Sequence, residues 1–353
     1  MQSGKTGRKK PNGRKTGKKS ELTLLRQIRL RAAQSSHGAL RLGIGDDCAL
    51  LRPRASEELA VTTDLSIAGR HFNLDWHSPE IIGHRTLARG LSDLAAMGAR
   101  PVAACLSLGL PSELVQNAKA RSAAPWIERF LDGFLALAEA CNTPLAGGDL
   151  AESPLVAADI VLIGAVRRGK ALLRSGARPG DLLYVTGSLG GAAAGLARLA
   201  ELAGPTNSDR MRTVRIPAKL SDVLTPHLYP QPRIAQGLGL VRRGLATAAL
   251  DLSDGLSTDL EHLCEESGVA AEVNAGALPI FPGATLEQAL HGGEDYELLF
   301  TASPGTHVPR GLAGVPITRI GRMVRRRAGR PAVTLITAGG ALPLEARGWE
   351  HFA

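Results

Sequence analysis

The sequence predicts a two-domain protein of the α+β class. Its 353 residues are enough for two domains with ample cores, and strand-like and helix-like apolar patterns occur in both halves. The charged, glycine-bearing segment 167–180 separates these halves and is the best candidate boundary. Composition agrees with this class, because 44% hydrophobic and 21% charged residues are typical of globular proteins. We therefore expect an N-terminal domain at 21–166 and a C-terminal domain at 167–353.

The elements of the N-terminal domain follow from the spacing of apolar residues. A broken 3.6-residue pattern predicts a helix at 21–36, and Pro79 suits the first turn of a helix at 79–97. Residues 124–141 form the clearest amphipathic helix, with their apolar side chains on one face. Short apolar runs predict the strands, which are residues 49–51, 59–63, 102–110 and 155–166.

The C-terminal domain shows the same mixture of elements. DLLYVTG at 181–187 predicts its first strand, and the alanine- and leucine-rich residues 191–203 predict its first helix. The polar residues 204–215 are expected to form a loop. Further helices are predicted at 233–243 and 255–267, and further strands at 245–252, 269–274, 296–301, 317–324 and 332–337.

Positive charge is concentrated at the N-terminus. Residues 1–20 hold eight lysines and arginines and no acidic residue, so the formal net charge of +9 falls to about +1 without them. The segment is rich in lysine and glycine and nearly free of apolar residues, which predicts a disordered, passive tail. Because a nucleic-acid-binding protein needs a basic folded face, nucleic acid is not expected as a partner, although binding through the tail remains an alternative.

The cysteines and the apolar runs bear on location. The four cysteines are scattered and show no CxxC spacing, which fits a reducing compartment and argues against a thiolate zinc site. No apolar run approaches the length of a membrane span, and no secretory apolar segment follows the basic tail. We expect a cytoplasmic protein without a membrane partner.

Short acidic clusters beside glycine, serine or threonine recur along the chain. They read GIGDD (43–47), VTTD (61–64), LSDLAAMGA (91–99), AGGD (146–149), DLSDG (251–255) and GGEDYE (292–297). Several follow apolar stretches of strand length, so the acids are expected where a strand ends and a loop begins. Mg²⁺ is held by one or two carboxylates together with substrate phosphates. The clusters therefore predict a metal-dependent enzyme that acts on phosphates.

The glycine-bearing clusters also have a structural interpretation. Aspartate and glycine are common turn residues, so GIGDD could be a capped turn, AGGD a tight turn and GGEDYE a hairpin turn. In the functional interpretation, the glycine amides of AGGD approach phosphate oxygens closely because no side chain intervenes.

Single residues in the other clusters carry the same two interpretations. Asp93 could pair with Arg89 one turn earlier, Asp254 could cap a helix, and His71 could be a surface or capping histidine. Asp93 lies in a mainly apolar helix, where an acid is costly unless it is paired or binds a metal. Asp251 stands at a strand end and has no comparable structural role.

In this order, the clusters resemble the thiamine-monophosphate kinase family of the aminoimidazole-ribonucleotide-synthetase-like ATP-binding superfamily. The resemblance covers about residues 21–353 and is closest in LSDLAAMGARP, DLSDGLSTDL and GGEDYELLF, with RSGARPGDLLYVTG (174–187) and GWEHF (348–352). It implies an ATP- and Mg²⁺-binding N-terminal domain, whose mixed sheet with helices pairs into a barrel in a homodimer. It also implies an α/β sandwich-like C-terminal domain that completes the nucleotide and substrate site.

The resemblance further implies direct in-line transfer of the γ-phosphate of ATP to thiamine monophosphate, with several Mg²⁺ ions neutralising the phosphates. No protein nucleophile or base is expected, because the acceptor phosphate is already anionic. The implied metal ligands are Asp47, Thr62, Thr63, Asp64, Asp93, Asp149, Asp251 and Asp254. The implied nucleotide contacts are Gly148, Asp149, Arg174 and Ser253. The implied substrate contacts are His71, Glu294 and Trp349, whose aromatic ring could stack on the cationic thiazolium.

Other interpretations remain at this point. A selenophosphate synthetase or an aminoimidazole ribonucleotide synthetase would share the superfamily, but the former would want a reactive cysteine in a glycine-rich N-terminal loop, and residues 1–40 contain none. A catalytically inactive ATP-binding module is a further alternative, and the intact acidic clusters count against it. Leu150 departs from the threonine that usually follows Asp149 in the family.

Overall fold

The computed structural model describes residues 21–32, 38–116, 124–203 and 222–350. The predicted basic tail at 1–20 and the predicted loop at 204–215 lie outside these residues, as does the last part of the helix predicted at 21–36. Within the described residues, the predicted two-domain α+β architecture with mixed sheets is confirmed. The position of the boundary at 167–180 stays a prediction.

The first part of the chain forms a mixed four-stranded sheet with helices on one face. Its elements are α1 (Glu21–Ala32), β1 (Leu40–Leu42), β2 (Leu50–Leu51), β3 (Glu57–Ile67), α2 (Pro79–Ala96), β4 (Arg100–Leu110), α3 (Ser112–Gln116), α4 (Trp126–Ala140), β5 (Leu145–Glu152) and β6 (Ala157–Arg167). The strand order is β3-β6-β4-β5, in which β4 and β5 are parallel and the other pairs antiparallel. Strands β1 and β2 form a separate antiparallel pair.

Helices α2 and α4 cover one face of this sheet. Leu87 and Leu91 of α2 and Phe134 of α4 are fully buried, in one apolar cluster with Ile160 and Leu162 of β6. The 3.6-residue spacing of the apolar positions in both helices directs these side chains to the sheet. Helix α2 is thereby fixed against the core, and its remaining face is available for polar side chains.

Two glycines let α2 and α4 approach each other backbone to backbone. A Cβ atom at Gly83 of α2 would overlap the carbonyl oxygen of Phe130, and one at Gly133 of α4 would overlap the carbonyl oxygen of Glu80. Each helix therefore presents a glycine to the backbone of the other. This contact sets the distance between the helices, and with it the position of the polar face of α2.

We expect Gly83→Ala to destabilise the protein by about 1–3 kcal/mol, because the added methyl group forces the two helix backbones apart in a packed core. Urea unfolding followed by circular dichroism measures this loss. Gly305→Ala is the control, since a Cβ atom there meets nothing within 4 Å. An unchanged unfolding midpoint for Gly83→Ala would show that the helices are not in direct backbone contact.

The second part of the chain forms a larger mixed sheet. Its elements are β7 (Leu182–Thr186), α5 (Gly191–Ala203), α6 (Thr225–Leu228), α7 (Ile234–Arg243), β8 (Ala248–Asp251), α8 (Leu256–Ser267), β9 (Val269–Asn274), α9 (Leu286–His291), β10 (Leu298–Ala302), β11 (Gly311–Leu312), β12 (Val315–Arg325), β13 (Val333–Thr337) and β14 (Gly340–Pro343). The strand order is β14-β13-β9-β12-β7-β10-β8, and β11 pairs with β12. Strands β13 and β9 are parallel, and the other pairs are antiparallel.

Apolar clusters cover both faces of the larger sheet. Leu299 of β10 packs in a cluster with Leu260 of α8, whereas its neighbour Phe300 packs in another cluster with Leu240 of α7. Successive residues of a strand point to opposite faces, so the two clusters lie on the two sides of the sheet. This arrangement agrees with the predicted sandwich-like C-terminal part.

Helix α2 joins the two sheets. Ala95, near its C-terminal end, belongs to the same apolar cluster as Leu240 of α7. A Cβ atom at Gly237 of α7 would overlap the carbonyl oxygen of Ala95, so α7 also approaches α2 closely. Side chains of α2 therefore face elements of both parts of the chain, and a cavity opens beside them.

Most predicted elements are present with ends shifted by a few residues, but the AGGD segment differs. Its glycines suggest a loop or a tight turn, but it lies in β5, parallel to β4 at the edge of the sheet. Gly148 has a φ of +151°, and a Cβ atom there would overlap the carbonyl oxygen of Leu106 in β4. The close approach of two strands therefore explains this glycine. Among the described helices, none is both long enough and apolar enough to cross a membrane.

Candidate active site

A cavity of about 440 Å³ lies between the two parts of the chain. Four of the predicted acidic clusters and the C-terminal GWE segment contribute side chains to its wall. The predicted site residues among these are Asp64, His71, Asp93, Asp251, Ser253, Asp254, Glu294 and Trp349. Segments far apart in the sequence thus meet in one place, as convergent ligands require.

Two carboxylates, one from helix α2 and one from strand β8, approach each other in this cavity. Asp93 of α2 accepts a hydrogen bond from Thr62 Oγ1 at 2.5 Å, and Asp251 at the end of β8 accepts one from Ser92 Oγ at 2.5 Å. Burial raises the pKa of Asp93, and the charge of Asp64 adds to this effect. Burial also raises the pKa of Asp251, and the charge of Asp93 raises it further. The two acids destabilise each other's ionised form when no cation lies between them.

Asp64 is held by an arginine. Arg89 donates from Nε to Asp64 Oδ2 at 2.9 Å and lies within 2.8 Å of its Oδ1 through the second nitrogen. The ion pair considered for Asp93 and Arg89 therefore forms between Arg89 and Asp64 instead. This two-pronged contact fixes the carboxylate of Asp64 at the edge of the cavity.

Asp254 does not cap helix α8. The capping position is Gly255, and the backbone N–H groups of Asp254 and Gly255 donate to Asp259 Oδ2 at 3.0 and 2.9 Å. Asp259 thus accepts the hydrogen bonds of the two backbone N–H groups just before the helix. Its burial and the charges of Asp251 and Asp254 raise its pKa to about 8. The side chain of Asp254 lines the cavity together with Ser253. The helix-capping alternative for Asp254 is therefore wrong.

The donor set fits a hard divalent cation that also binds phosphate. Within the described ranges, no group of three or more His, Cys, Asp or Glu side chains is close enough to hold a metal by itself. Mg²⁺ is usually bound by one or two carboxylates plus substrate phosphates rather than by a complete protein cage. The mutually repelling pair of Asp93 and Asp251 matches this pattern. We infer that these two residues would hold Mg²⁺.

His71 and Trp349 border the same cavity. His71 Nδ1 accepts a hydrogen bond from the N–H of Ile67 at 3.0 Å, so the neutral ring carries its proton on Nε2. The backbone N–H of Trp349 donates to the carbonyl oxygen of Asp254 at 3.0 Å, and the residue is 49% exposed. This hydrogen bond holds the segment around Trp349 beside Asp254.

The segment 292–297 is not a hairpin turn. Its backbone runs beside the end of β8, where Glu294 N–H donates to Ser253 O and Tyr296 N–H donates to Leu252 O, each at 2.8 Å. Glu294 faces the cavity, and Arg85 of α2 donates to its Oε1 at 2.7 Å. The hairpin alternative for this segment is therefore wrong.

Other predicted residues lie elsewhere. Asp47, Gly148 and Asp149 line a second, smaller cavity of about 160 Å³ beside β5. Thr63 is exposed on the opposite face of β3 from its neighbours Thr62 and Asp64. Thr62 and Arg174 line neither cavity directly. Thr62 donates a hydrogen bond to Asp93. The charge of Arg174 lowers the pKa of both Asp93 and Asp251, which opposes the increase caused by burial. Their assigned roles stay predictions.

Several residues of the cavity wall and its support are not among the predicted site residues. These residues are Phe72, Trp76, His77, Arg85, Arg89, His227 and Tyr296. One signal was available, because Arg85, Arg89 and Asp93 are spaced four apart in an otherwise apolar helix and therefore share one face. No comparable pattern marks the aromatic and histidine residues.

Comparisons with known proteins agree with this geometry. The family model of the N-terminal domain of AIR synthase related proteins matches residues 45–166, and that of the C-terminal domain matches residues 178–333. The thiamine-monophosphate kinase of Escherichia coli O157:H7 is 40% identical over 333 residues, which cover 91% of this chain and 94% of that protein.

Solved structures give the same result. Thiamine-monophosphate kinase from Stenotrophomonas maltophilia K279a is similar with a TM-score of 0.72 and 37% identity, covering 92% of this chain and 98% of that chain. A structure described as "AaThiL complexed with AMPPCP and TMP" is similar with a TM-score of 0.68 and 30% identity, covering 95% of this chain and 97% of that chain. This chain therefore belongs to the thiamine-monophosphate kinase family of AIR synthase related proteins.

Proposed function

We propose that this chain transfers the γ-phosphate of ATP to the phosphate of thiamine monophosphate and so forms thiamine diphosphate. The observation that carries the proposal is the cavity between the two sheets, where carboxylates from both parts of the chain meet an aromatic wall and a fixed glutamate. The related complex with AMPPCP and TMP supports it, since AMPPCP is an ATP analogue and TMP is the acceptor.

The chemistry asks the protein to bring two anions together in line. When bound, Mg²⁺ ions neutralise the crowded phosphate oxygens. Asp93 and Asp251 would hold such an ion, and Asp64 and Asp254, which also line the cavity, would provide further oxygen ligands. The proton on Nε2 of His71 and the hydroxyl of Ser253 donate to phosphate oxygens. No side chain acts as a base, because the attacking phosphate oxygen is already anionic.

The remaining predicted residues belong to the same proposal. Arg174 lies near enough to affect the pKa values of Asp93 and Asp251, which suits a contact with the nucleotide phosphates. Asp47, Gly148 and Asp149 contribute from the second cavity as metal and nucleotide contacts. We further propose that the N-terminal domain ends near 166, and that the enzyme works in the cytoplasm.

The direct test is incubation of the protein with ATP, Mg²⁺ and thiamine monophosphate, with products separated by chromatography. We expect thiamine diphosphate and ADP in equal amounts. Omission of thiamine monophosphate, or its replacement by thiamine, should abolish ADP formation. Release of ADP without an acceptor, or absence of thiamine diphosphate, would argue against the proposed reaction.

Trp349→Ala is expected to raise KM for thiamine monophosphate about 2- to 30-fold with a smaller change in kcat, because an aromatic contact with a cation contributes about 0.5–2 kcal/mol. Steady-state kinetics at saturating ATP measures this. Trp126→Ala is the control, since Trp126 stacks on Phe130 in α4 and lies outside both cavities. An equal KM change in both variants would remove the assignment of Trp349 to the substrate.

We also propose a homodimer, formed through the face of the smaller sheet that α2 and α4 leave open. Three alternate residues of β3, Leu59, Val61 and Leu65, are 45%, 62% and 48% exposed. Val61 pairs with Ile163 of β6, so the apolar surface continues onto the neighbouring strand. A contiguous exposed apolar surface on a sheet typically marks a protein contact. A second copy of the same sheet is the occupant that the family resemblance favours.

A further inference from the structure

The side chain of Glu294 is bound by an arginine that does not line the cavity. Arg85 donates to Glu294 Oε1 at 2.7 Å, and its other terminal nitrogen donates to the backbone carbonyl oxygen of His227. The Arg85 side chain is 5% exposed and is not part of the cavity wall, whereas the Glu294 side chain is 26% exposed and lines it. Arg85 can therefore influence a bound molecule only through its neighbours.

The other oxygen of Glu294 faces a histidine pair. His227 Nδ1 lies 3.6 Å from Glu294 Oε2, and His227 Nε2 lies 3.0 Å from His77 Nε2. Burial, with the charge of Arg85 adding to it, lowers the pKa of His77 to about 4 and the pKa of His227 well below its ordinary value. Both rings are neutral at pH 7, so the positive charge beside Glu294 comes from Arg85 and, farther away, from Arg89.

The positive charge of Arg85 determines whether the carboxyl group of Glu294 is ionised. Burial raises the pKa of its carboxyl group, but the charge and hydrogen bond of Arg85 outweigh burial, with Arg89 adding to them, and the pKa lies below its ordinary value. The carboxylate is thus ionised at neutral pH, although it lies in a partly buried site. An ionised carboxylate only accepts hydrogen bonds.

The backbone of this segment is also fixed. Glu294 has a φ of +67° and Tyr296 a φ of +51°, a region that residues other than glycine rarely occupy. Such conformations persist where the surroundings hold them, and they are frequent in ligand sites. The hydrogen bond from Glu294 N–H to Ser253 O provides part of this support. Both the backbone and the carboxylate of Glu294 are therefore set before a substrate binds.

We propose that Arg85, which is itself held by the backbone carbonyl oxygen of His227, is a positioning residue that fixes Glu294 to accept a hydrogen bond from the amino group of the aminopyrimidine ring of the acceptor. This inference rests on the proposed function and deepens it. The amino group is a donor that the carboxylate can recognise, and an analogue with a carbonyl oxygen in its place would face the carboxylate with an acceptor. A site built to bind a donor rejects such an analogue strongly.

The test compares thiamine monophosphate with oxythiamine monophosphate, in which a carbonyl oxygen replaces the amino group. Wild-type protein should prefer thiamine monophosphate in kcat/KM. Arg85→Gln should raise KM for thiamine monophosphate about 10- to 100-fold, because the glutamate loses a charged partner. It should also reduce the preference between the two acceptors and leave KM for ATP within about twofold. Arg85→Lys keeps the charge but not the two-nitrogen guanidinium group. Its KM for thiamine monophosphate and its preference between the acceptors should therefore lie between those of wild type and Arg85→Gln.

A second buried pair supplies the matched control. Arg233 contacts Glu297 at 2.5 Å, and neither residue lines the cavity. Arg233→Gln should lower the melting temperature but leave the preference between the two acceptors intact. Glu294→Gln should lose the preference, and the double variant with Arg85→Gln should be no worse than Glu294→Gln alone, because the two residues act through one contact.

The outcomes distinguish a failure of the proposed reaction from a failure of the positioning role of Arg85. If wild-type protein forms no thiamine diphosphate, the proposed function fails and this inference with it. If wild-type protein is active and Arg85→Gln keeps both its KM and its preference, the inference alone is wrong. If Arg85→Gln does not fold, Arg85→Lys and Glu294→Gln provide the same comparison, and an unchanged preference in Glu294→Gln overturns it.

Discussion

Asp251→Asn is expected to lower kcat by about 10²- to 10³-fold while the protein stays folded. Removing one fixed electrostatic group from a site where charge is transferred typically has an effect of this size. Asparagine has nearly the same shape and can still accept the hydrogen bond from Ser92 Oγ. It cannot supply the negative charge that, together with Asp93, we propose to attract a divalent cation. Kinetics at saturating ATP, Mg²⁺ and thiamine monophosphate measures the loss.

The stability of the same variant should move in the opposite direction. Burial and the charge of Asp93 both disfavour the ionised form of Asp251, so this acid destabilises the metal-free fold at pH above its unfolded pKa. We therefore expect the melting temperature of metal-free Asp251→Asn at pH 8 to equal or exceed that of wild type. A structural acid would behave differently, because its removal costs stability.

Asp181→Asn is the matched control for this variant. Asp181 is also buried, at 4% exposure, but it lies outside both cavities. Its Oδ2 accepts hydrogen bonds from Arg178 N–H and Thr247 Oγ1, both of which an asparagine oxygen can accept. Its activity should stay close to wild type. Equal losses of activity in the two variants would mean that Asp251 has no special role in the reaction.

Periodicity and acidic clusters predicted much of this fold and site. The apolar faces of α2 and α4 follow from regular 3.6-residue spacing, and their burial is observed. An acid in a mainly apolar helix needs a partner or a metal, which singles out Asp93, and the charge of Asp93 acts on Asp251 of β8. The prediction of the helix faces succeeds because it rests on a local rule, the burial of apolar side chains, whereas the role of Asp93 as a metal ligand stays a prediction.

Sequence rules failed where the cause lies in a distant segment. The glycines of AGGD suggested a turn, but Gly148 lies in a strand because its backbone passes close to Leu106. Spacing along one helix suggests Asp93 as a possible partner of Arg89, yet Arg89 pairs with Asp64 of β3. His77 and His227 gave no signal at all, since their contact forms only when α6 meets the start of α2. Tertiary contacts decided each case.

The second large expected effect concerns the proposed homodimer. Val61→Glu should convert the protein from a dimer into a monomer, because it places a charge on the most exposed residue of the apolar surface on β3. A charge buried in an interface without a partner is costly enough to outweigh most of the apolar contact. Size-exclusion chromatography with light scattering should report the mass of two chains for wild type and of one chain for the variant.

Leu342→Glu is the control for this variant, since Leu342 is 55% exposed on β14, at the edge of the other sheet. It should remain a dimer, because the predicted pairing involves only the smaller sheet. A monomeric wild-type protein, or a dimer that survives Val61→Glu, would exclude pairing through β3.

The side chain of Thr63 lies on the same face as Val61, so in the dimer it would be covered by the second copy. Dimerisation through this face therefore makes Thr63 a contact residue, and its predicted role as a metal ligand would then have to be met by its backbone oxygen.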